Sequence, residues 1–285
     1  MESFLVVLSE TTLALYPILI KLVPTELTTQ VFLRFLTFSI LAFTMGTWAD
    51  FTGTWGSLSS ALRSTLLGGL TLAHVGTSYY AFQELSAGSS MTLFYTYPFW
   101  IVLGSFLFFG EKVGIFEVGL LITAFIGTLL VAYGSKEEGL NETKGDLNWK
   151  GVLAGLASAL TEAAMYFAVR TSAVKNPFFS TLELYPGALL LLLPILFFMK
   201  MPIDTRPGVW GQLFSFNALV GFFGYALRFY TIPRISSVLF SLLSFIGVVA
   251  SFTWGLLFVG EKPNIATGVG AALVTLAAGA LGVRA

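Results

Sequence analysis

Long apolar runs alternate with short polar breaks along the chain, and the runs have the length of membrane crossings. Polar residues delimit ten of them, at about 4–22, 29–47, 62–83, 85–109, 114–133, 151–170, 177–199, 209–230, 235–259 and 264–283. A bilayer core needs roughly 20 apolar residues of helix. A transmembrane barrel would instead show alternating segments of about ten residues. The pattern predicts an all-α membrane protein with ten transmembrane helices, here numbered as spans 1 to 10. The first run has no basic leader and no small-residue cleavage site, and Glu10 interrupts it. It reads as a retained span rather than a signal peptide. The longest polar stretch, SKEEGLNETKGDLNWK at 135–150, reads as a solvated loop dividing the chain in half.

Composition agrees with this reading. The 285 residues include 15 basic and 15 acidic side chains, 11% charged in all, with 56% hydrophobic residues and a mean hydropathy of +0.84. Soluble domains are about 25% charged. So little charge argues against a soluble enzyme and a disordered chain, and the even balance argues against a nucleic-acid partner. Cysteine is absent and histidine occurs once, at His74, so neither a thiolate nor a multi-histidine metal site is expected. No cofactor is implied. Loop lysines and arginines divide evenly between the two sides, so the positive-inside rule gives no orientation.

The halves repeat. Phe109-Gly110-Glu111-Lys112 closes span 4 and Val259-Gly260-Glu261-Lys262 closes span 9, with Glu111 and Glu261 150 residues apart. The same offset pairs Tyr16 with Tyr166, Tyr80 with Tyr230, Ser86 with Ser236, and Leu107-Phe108 with Leu257-Phe258. Repeats at 1–134 and 151–285, joined by 135–150, each hold an odd number of spans. The second therefore enters the membrane from the opposite side, the inverted arrangement that places transporter sites near the midplane. The Gly-Glu-Lys turn itself reads as a helix stop: glycine for the left-handed cap, glutamate for the next helix start, lysine for the headgroups.

These residues resemble the EamA family of the drug/metabolite transporter superfamily. The resemblance is carried by Tyr80-Ala81-Phe82-Gln83-Glu84-Leu85-Ser86-Ala87-Gly88 through Pro98 to Gly110-Glu111-Lys112, by Arg34 in Phe32-Leu33-Arg34-Phe35-Leu36, and by Tyr16 to Lys21 and Tyr166 to Arg170. It covers nearly the whole chain. It implies ten helices in two inverted repeats, both termini cytoplasmic, residence in a plasma or bacterial inner membrane, and transport of small metabolites, often export. One departure is Val248, which stands where the offset would place a counterpart of Pro98, so span 9 is expected to lack the kink. His74, Glu162 and Glu183 match no motif of the family.

A charge at the centre of a span costs roughly 2.5–3.5 kcal/mol, so each such residue needs a reason. Glu10 reads as a proton, cation or substrate-amine site, or as a carboxyl bonded within the bundle. Glu162 pairs through the offset with Thr12, close to Glu10, and the two acids are expected to face one cavity. Glu183 precedes Pro186, whose ring should free the carbonyl near Leu182 and kink the helix beside the acid. Arg34 reads as a carboxylate or phosphate binder, or as the ion-pair partner of Glu10 or Glu183. His74 suits a proton relay or a neutral structural bond. Arg228 and Arg234, near the end of span 8, read by default as snorkelling to the surface, with a gate or phosphate-binding role as the alternative. Tyr16-Pro17, Tyr97-Pro98 and Tyr185-Pro186 combine a polar tip with a helix break and suit a cavity wall, and Tyr166 is the repeat partner of Tyr16. Small residues at Gly119, Thr123 and Gly127, at Thr267, Ala271, Thr275 and Gly279, and at Gly151 and Gly155 allow close helix packing, within the chain or across a homodimer.

Three functions compete. A transporter of amino acids or related small polar metabolites would hold a zwitterion between Arg34 and the carboxylates, with the bilayer as its solvent and a proton or counter-substrate as its coupling partner. An organophosphate or nucleotide-sugar exchanger needs several deep basic residues, and only Arg34 reads as deep, with Arg228 marginal. An intramembrane enzyme or scaffold finds no H-E-x-x-H, G-x-S-x-G or Walker motif.

Overall fold

The computed structural model describes residues 1–85, 87–134, 149–172, 174–258 and 264–282, and every regular element among them is helical. Span 1 consists of α1 (Glu2–Leu13) and α2 (Tyr16–Leu22), span 2 of α3 (Leu27–Met45). A short helix, α4 (Trp48–Trp55), leads into span 3, α5 (Leu58–Glu84). Span 4 joins α6 (Ala87–Phe94) to α7 (Tyr97–Phe109), and span 5 is α8 (Ile115–Gly134). Spans 6 and 7 are α9 (Trp149–Arg170) and α10 (Pro177–Phe198). Span 8 runs from α11 (Pro207–Phe216) through a π-helical turn (Asn217–Phe222) into α12 (Phe223–Thr231). Span 9 joins α13 (Ser237–Ser244) to α14 (Ile246–Phe258), and span 10 is α15 (Ile265–Gly282). The protein is an all-α membrane protein of ten spans in two inverted repeats. Residues 135–148 of the central loop and the second Gly-Glu-Lys turn lie outside the described residues.

Local chemistry sets the helix ends. Thr47 and Asp50 form a reciprocal capping box at α4, as do Ser57 and Ser60 at α5. The Asn176 side chain caps α10, with Pro177 in its first turn. Gly110 closes α7 at φ 63°, the left-handed conformation that suits glycine.

Helix neighbours obey the two-fold exchange of the repeats. Span 1 packs on span 8 as span 6 packs on span 3, and span 2 meets span 8 as span 7 meets span 3. Spans 2 and 7, 4 and 9, and 5 and 10 pack as exchanging pairs. Residues that face each other across this axis come from opposite halves of the sequence.

Four spans depart from regular α-helix near the centre, span 8 at its π-helical turn and three at breaks, of which the repeat offset relates those in spans 4 and 9. Span 1 breaks at Ala14 and Leu15, before Pro17, and span 4 at Tyr95 and Thr96, before Pro98. Span 9 breaks at Phe245, the repeat partner of Tyr95, although no proline is present. This corrects the expectation drawn from Val248. The break follows from the crossing of spans 4 and 9. Phe245 packs on the rings of Tyr95 and Phe99, and a Cβ on Gly247 would stand 1.8 Å from the Tyr95 hydroxyl. Conversely, Pro186 does not interrupt α10, which continues through it and through Pro194. The Leu182 carbonyl near it accepts a hydrogen bond from Trp55 Nε1 at 3.3 Å, so the backbone stays satisfied without a break.

Candidate functional site

The broken centres of spans 1 and 4, with spans 3, 6 and 8, bring five polar side chains together inside the bundle. Glu10 on α1, His74 on α5, Glu162 on α9 and Arg228 on α12 are each at most 3% exposed. Arg228 lies between the acids, Nη2 at 3.2 Å from Glu10 Oε1 and Nη1 at 2.6 Å from Glu162 Oε1. It also donates from Nη2 to the Tyr97 hydroxyl at 2.6 Å, and that hydroxyl donates to Glu10 Oε2 at 3.3 Å. His74 Nε2 stands 3.0 Å from Glu162 Oε2. The two acids thus come together, one from each repeat.

Arg228 is the residue that sequence reasoning misplaced. It lies one turn from the end of α12, where snorkelling is the default, but that helix end is itself inside the protein: Thr231 and Ile232 are buried. Two buried carboxylates also need a cation, because an uncompensated buried charge costs several kcal/mol.

Arg34 occupies a different setting. It donates to Tyr79 at 3.3 Å and to Tyr185 at 3.2 Å, and its guanidinium lies 4.6 Å from the ring centre of Tyr16 and 5.0 Å from that of Tyr225. Phe38 adds a further ring at 5.3 Å. The guanidinium makes no ion pair among the described residues, and its Nε–H has no partner. The expected pairs with Glu10 and Glu183 do not form, since Arg228 holds the first acid and Arg63 the second. Such a cation is stabilised by the ring faces, but it keeps the capacity for a bidentate anion.

Between these clusters lies a small cavity of about 40 Å³, room for a few water molecules. Glu10, Arg34, His74 and Arg228 reach it, and Tyr16, Pro17, Tyr79, Tyr95 and Tyr225 are among its walls. Glu162 stands behind His74 and Arg228. Tyr97 and Tyr185 act on the polar groups rather than on the wall. Sequence reasoning missed Tyr79 and Tyr225. The repeat offset drew attention to Tyr80 instead, which lies outside the cluster. A usable signal was the three-residue spacing of Tyr225 and Arg228, which puts both on one face of α12.

The remaining candidates lie elsewhere. Glu183 pairs with Arg63 at 3.3 Å and accepts from Ser172 at 3.3 Å, towards the outer end of α10. Tyr166 shares a hydrogen bond with Ser237 Oγ at 2.9 Å and accepts from Arg170 at 2.9 Å. Arg170 also pairs with Glu111 of the first Gly-Glu-Lys turn and donates to the Ile235 carbonyl at 3.0 Å. That turn is therefore part of a latch joining spans 4, 6 and 9 at one end of the bundle. Pro98 is buried in the first turn of α7.

A model of the EamA-like transporter family matches residues 1–133 and 149–282. The chain belongs to this family. It is a multi-pass integral membrane transporter. This EamA transporter is 22% identical over 203 residues to the protein described as pseudopaline exporter CntI, from two strains of Pseudomonas aeruginosa, across 71% of this chain and 68% of that protein. A crystal structure 18% identical in sequence superposes with a TM-score of 0.75, covering 100% of this chain and 96% of the other. At that identity the likeness concerns the fold.

Proposed function

We propose that this EamA transporter exports small zwitterionic metabolites, amino acids or close relatives, by alternating access. The observation that carries the reading is Arg34, a buried guanidinium with an unpartnered Nε, lining the same cavity as the carboxylate of Glu10. Arg34 receives the substrate carboxylate and Glu10 its ammonium group. Export accords with the exporter named among its relatives. The repeats at 1–134 and 151–285 act as the two moving halves, with 135–150 joining them. The protein resides in the cell membrane with both termini cytoplasmic.

A phosphorylated substrate is disfavoured by the same cluster. Arg228 is a second deep cation, but two carboxylates already neutralise it and would repel a phosphate. Thermal unfolding of the detergent-purified protein against amino acids, polyamines, nucleotides and sugar phosphates tests the proposal. A ligand at 100 times its Kd should stabilise by about 2.7 kcal/mol. Stabilisation by sugar phosphates and by no amino acid would reverse the assignment.

A further inference from the structure

Three serines of α13, Ser237, Ser241 and Ser244, are wholly buried, and their spacing of four and three puts them on one face of span 9. The row covers about 10 Å, seven residues at about 1.5 Å each. Its inner end meets the polar cluster, where Ser244 lies beside Tyr97 and the Phe240 ring lies 5.6 Å from the Arg228 guanidinium. Its outer end meets the latch. Ser237 Oγ shares hydrogen bonds with Ser105 Oγ at 2.6 Å and with the Tyr166 hydroxyl at 2.9 Å, and that hydroxyl accepts from Arg170. Ser244 donates to the Phe240 carbonyl at 2.8 Å. Ser241, between the two, has no partner for its hydroxyl. A buried polar group left unpaired in a folded protein calls for an explanation. Water would supply the missing partner in a state where the row is open.

The inverted repeat points to such a state. The 150-residue offset pairs Ser241 with Met91 and Ser244 with Phe94, and both partners line the cavity. It also pairs Tyr166, at the outer end of the row, with Tyr16 of the cavity wall. The serine row is therefore the counterpart, under the exchange of repeats, of the cavity wall on span 4. The two lie towards opposite ends of the bundle. Met91 lies in α6, next to the turn from span 3, whereas Ser237 is tied to the latch, whose Glu111 follows the far end of span 4. At about 40 Å³ the cavity is too small for a metabolite, so the bundle must open before one enters or leaves. When the halves of an inverted repeat exchange roles, the open wall passes from Met91 and Phe94 to Ser241 and Ser244.

We propose that Ser237, Ser241 and Ser244 line the solute's path between the central cavity and the latch end, and that this path and the one past Met91 open in turn. The path is closed in this structure by Phe240, which shares the serine face and packs on Tyr166 with ring centres 5.0 Å apart. Its hydroxyls offer a polar solute hydrogen-bonding partners that Met91 and Phe94 do not. The proposal rests on alternating access but not on the zwitterion assignment, and its test needs no amino acid.

The sequence has no cysteine, so Ser241→Cys and Met91→Cys in the full chain each give a single thiol. In vesicles of both orientations, a membrane-impermeant thiosulfonate should reach Ser241→Cys only from the latch end and Met91→Cys only from the other. Adding Glu111→Gln should raise the first rate by about 5-fold or more, the lower end of ordinary coupling, and lower the second. Thr128→Cys is the control, since Thr128 is equally buried but belongs to α8, away from the row. It should stay unlabelled with and without Glu111→Gln. Opposite changes at Ser241→Cys and Met91→Cys support the proposal. A rise at both, or labelling of Thr128→Cys, means general loosening and overturns it. Labelling of Ser241→Cys from the Met91 end, or from neither end, also overturns it, and these outcomes are readable in the single-cysteine chains even where Glu111→Gln fails to fold. Failure of amino acids to bind, with the opposite changes intact, counts against the zwitterion assignment and leaves the path supported.

Discussion

At the scale of single residues, Arg34 and Arg228 show how setting decides what a buried arginine does. Arg228 is held by two carboxylates, whereas Arg34 is surrounded by rings and hydroxyls and meets no acid, although the Nε–H of each has no partner. Arg34→Gln should therefore weaken amino-acid binding about 10- to 100-fold, the worth of about 1.5–3 kcal/mol for a hydrogen bond to a charged group. Isothermal titration of the detergent-solubilised variant checks this. Arg228→Met should behave differently and destabilise the fold by about 3–5 kcal/mol, because it leaves two buried acids without a cation. Adding Glu10→Gln and Glu162→Gln to that variant should recover most of the loss in thermal unfolding. Glu162→Gln alone should abolish or uncouple transport while the protein still folds. Wild-type flux from that variant in proteoliposomes would remove Glu162 from the mechanism.

At the scale of helices, close approach depends on a few glycines. A Cβ on Gly68 of α5 would lie 2.4 Å from the backbone nitrogen of Ala188, and one on Gly187 of α10 would lie 2.5 Å from the Ser64 carbonyl oxygen. The two helices therefore touch backbone to backbone, and they carry His74 and Tyr185 at fixed separation. Gly68→Val should cost about 1–3 kcal/mol from overpacking, read as a lower unfolding midpoint in detergent. Gly127 meets Gly270 of α15 in the same way, and Gly151 and Gly155 meet Leu85 and Leu93, so these small residues serve packing within the chain. The loop between α10 and α11 is tied down by Asp204, which accepts from Thr25 at 2.9 Å and from Arg206. Hydrogen bonds from Arg206 hold the Asp204 carboxyl well below the usual carboxylate range. A depressed carboxyl stabilises above its ordinary pKa and loses that contribution as pH falls. The tie should therefore persist at neutral pH and weaken only below the ordinary aspartate value. Limited proteolysis of the loop as a function of pH measures this.

For the whole molecule, the inverted repeat turns two half-sites into one site. The latch of Arg170, Glu111, Tyr166 and Ser237 ties spans 4, 6 and 9 at one end. Glu111→Gln should loosen it and shift the population towards opening there. The chain has no natural cysteine, so Ser78→Cys beside the cavity gives a single reporter. In right-side-out and inverted vesicles, its labelling by an impermeant thiol reagent should rise from the latch end when Glu111→Gln is added. Unchanged labelling from that end would mean that the latch is not a gate.

How much of this was legible depended on distance along the chain. Ten apolar runs specify ten helices, because a bilayer leaves the backbone little choice but to bond within each crossing. The 150-residue offset specified the repeat, and with it the neighbourhood of Glu10 and Glu162. The break at Phe245 was hidden because no proline marks it and only the crossing with Tyr95 and Phe99 produces it. Arg228 was hidden because depth counted along α12 is not burial. Hydropathy, composition and repetition are local or periodic properties, and through them the sequence alone determined the membrane, the spans and the inverted halves. Charge pairing depends on inverse distance between groups far apart in sequence, and only the tertiary structure decided which arginine pairs with the acids and which one is held by rings and hydroxyls instead.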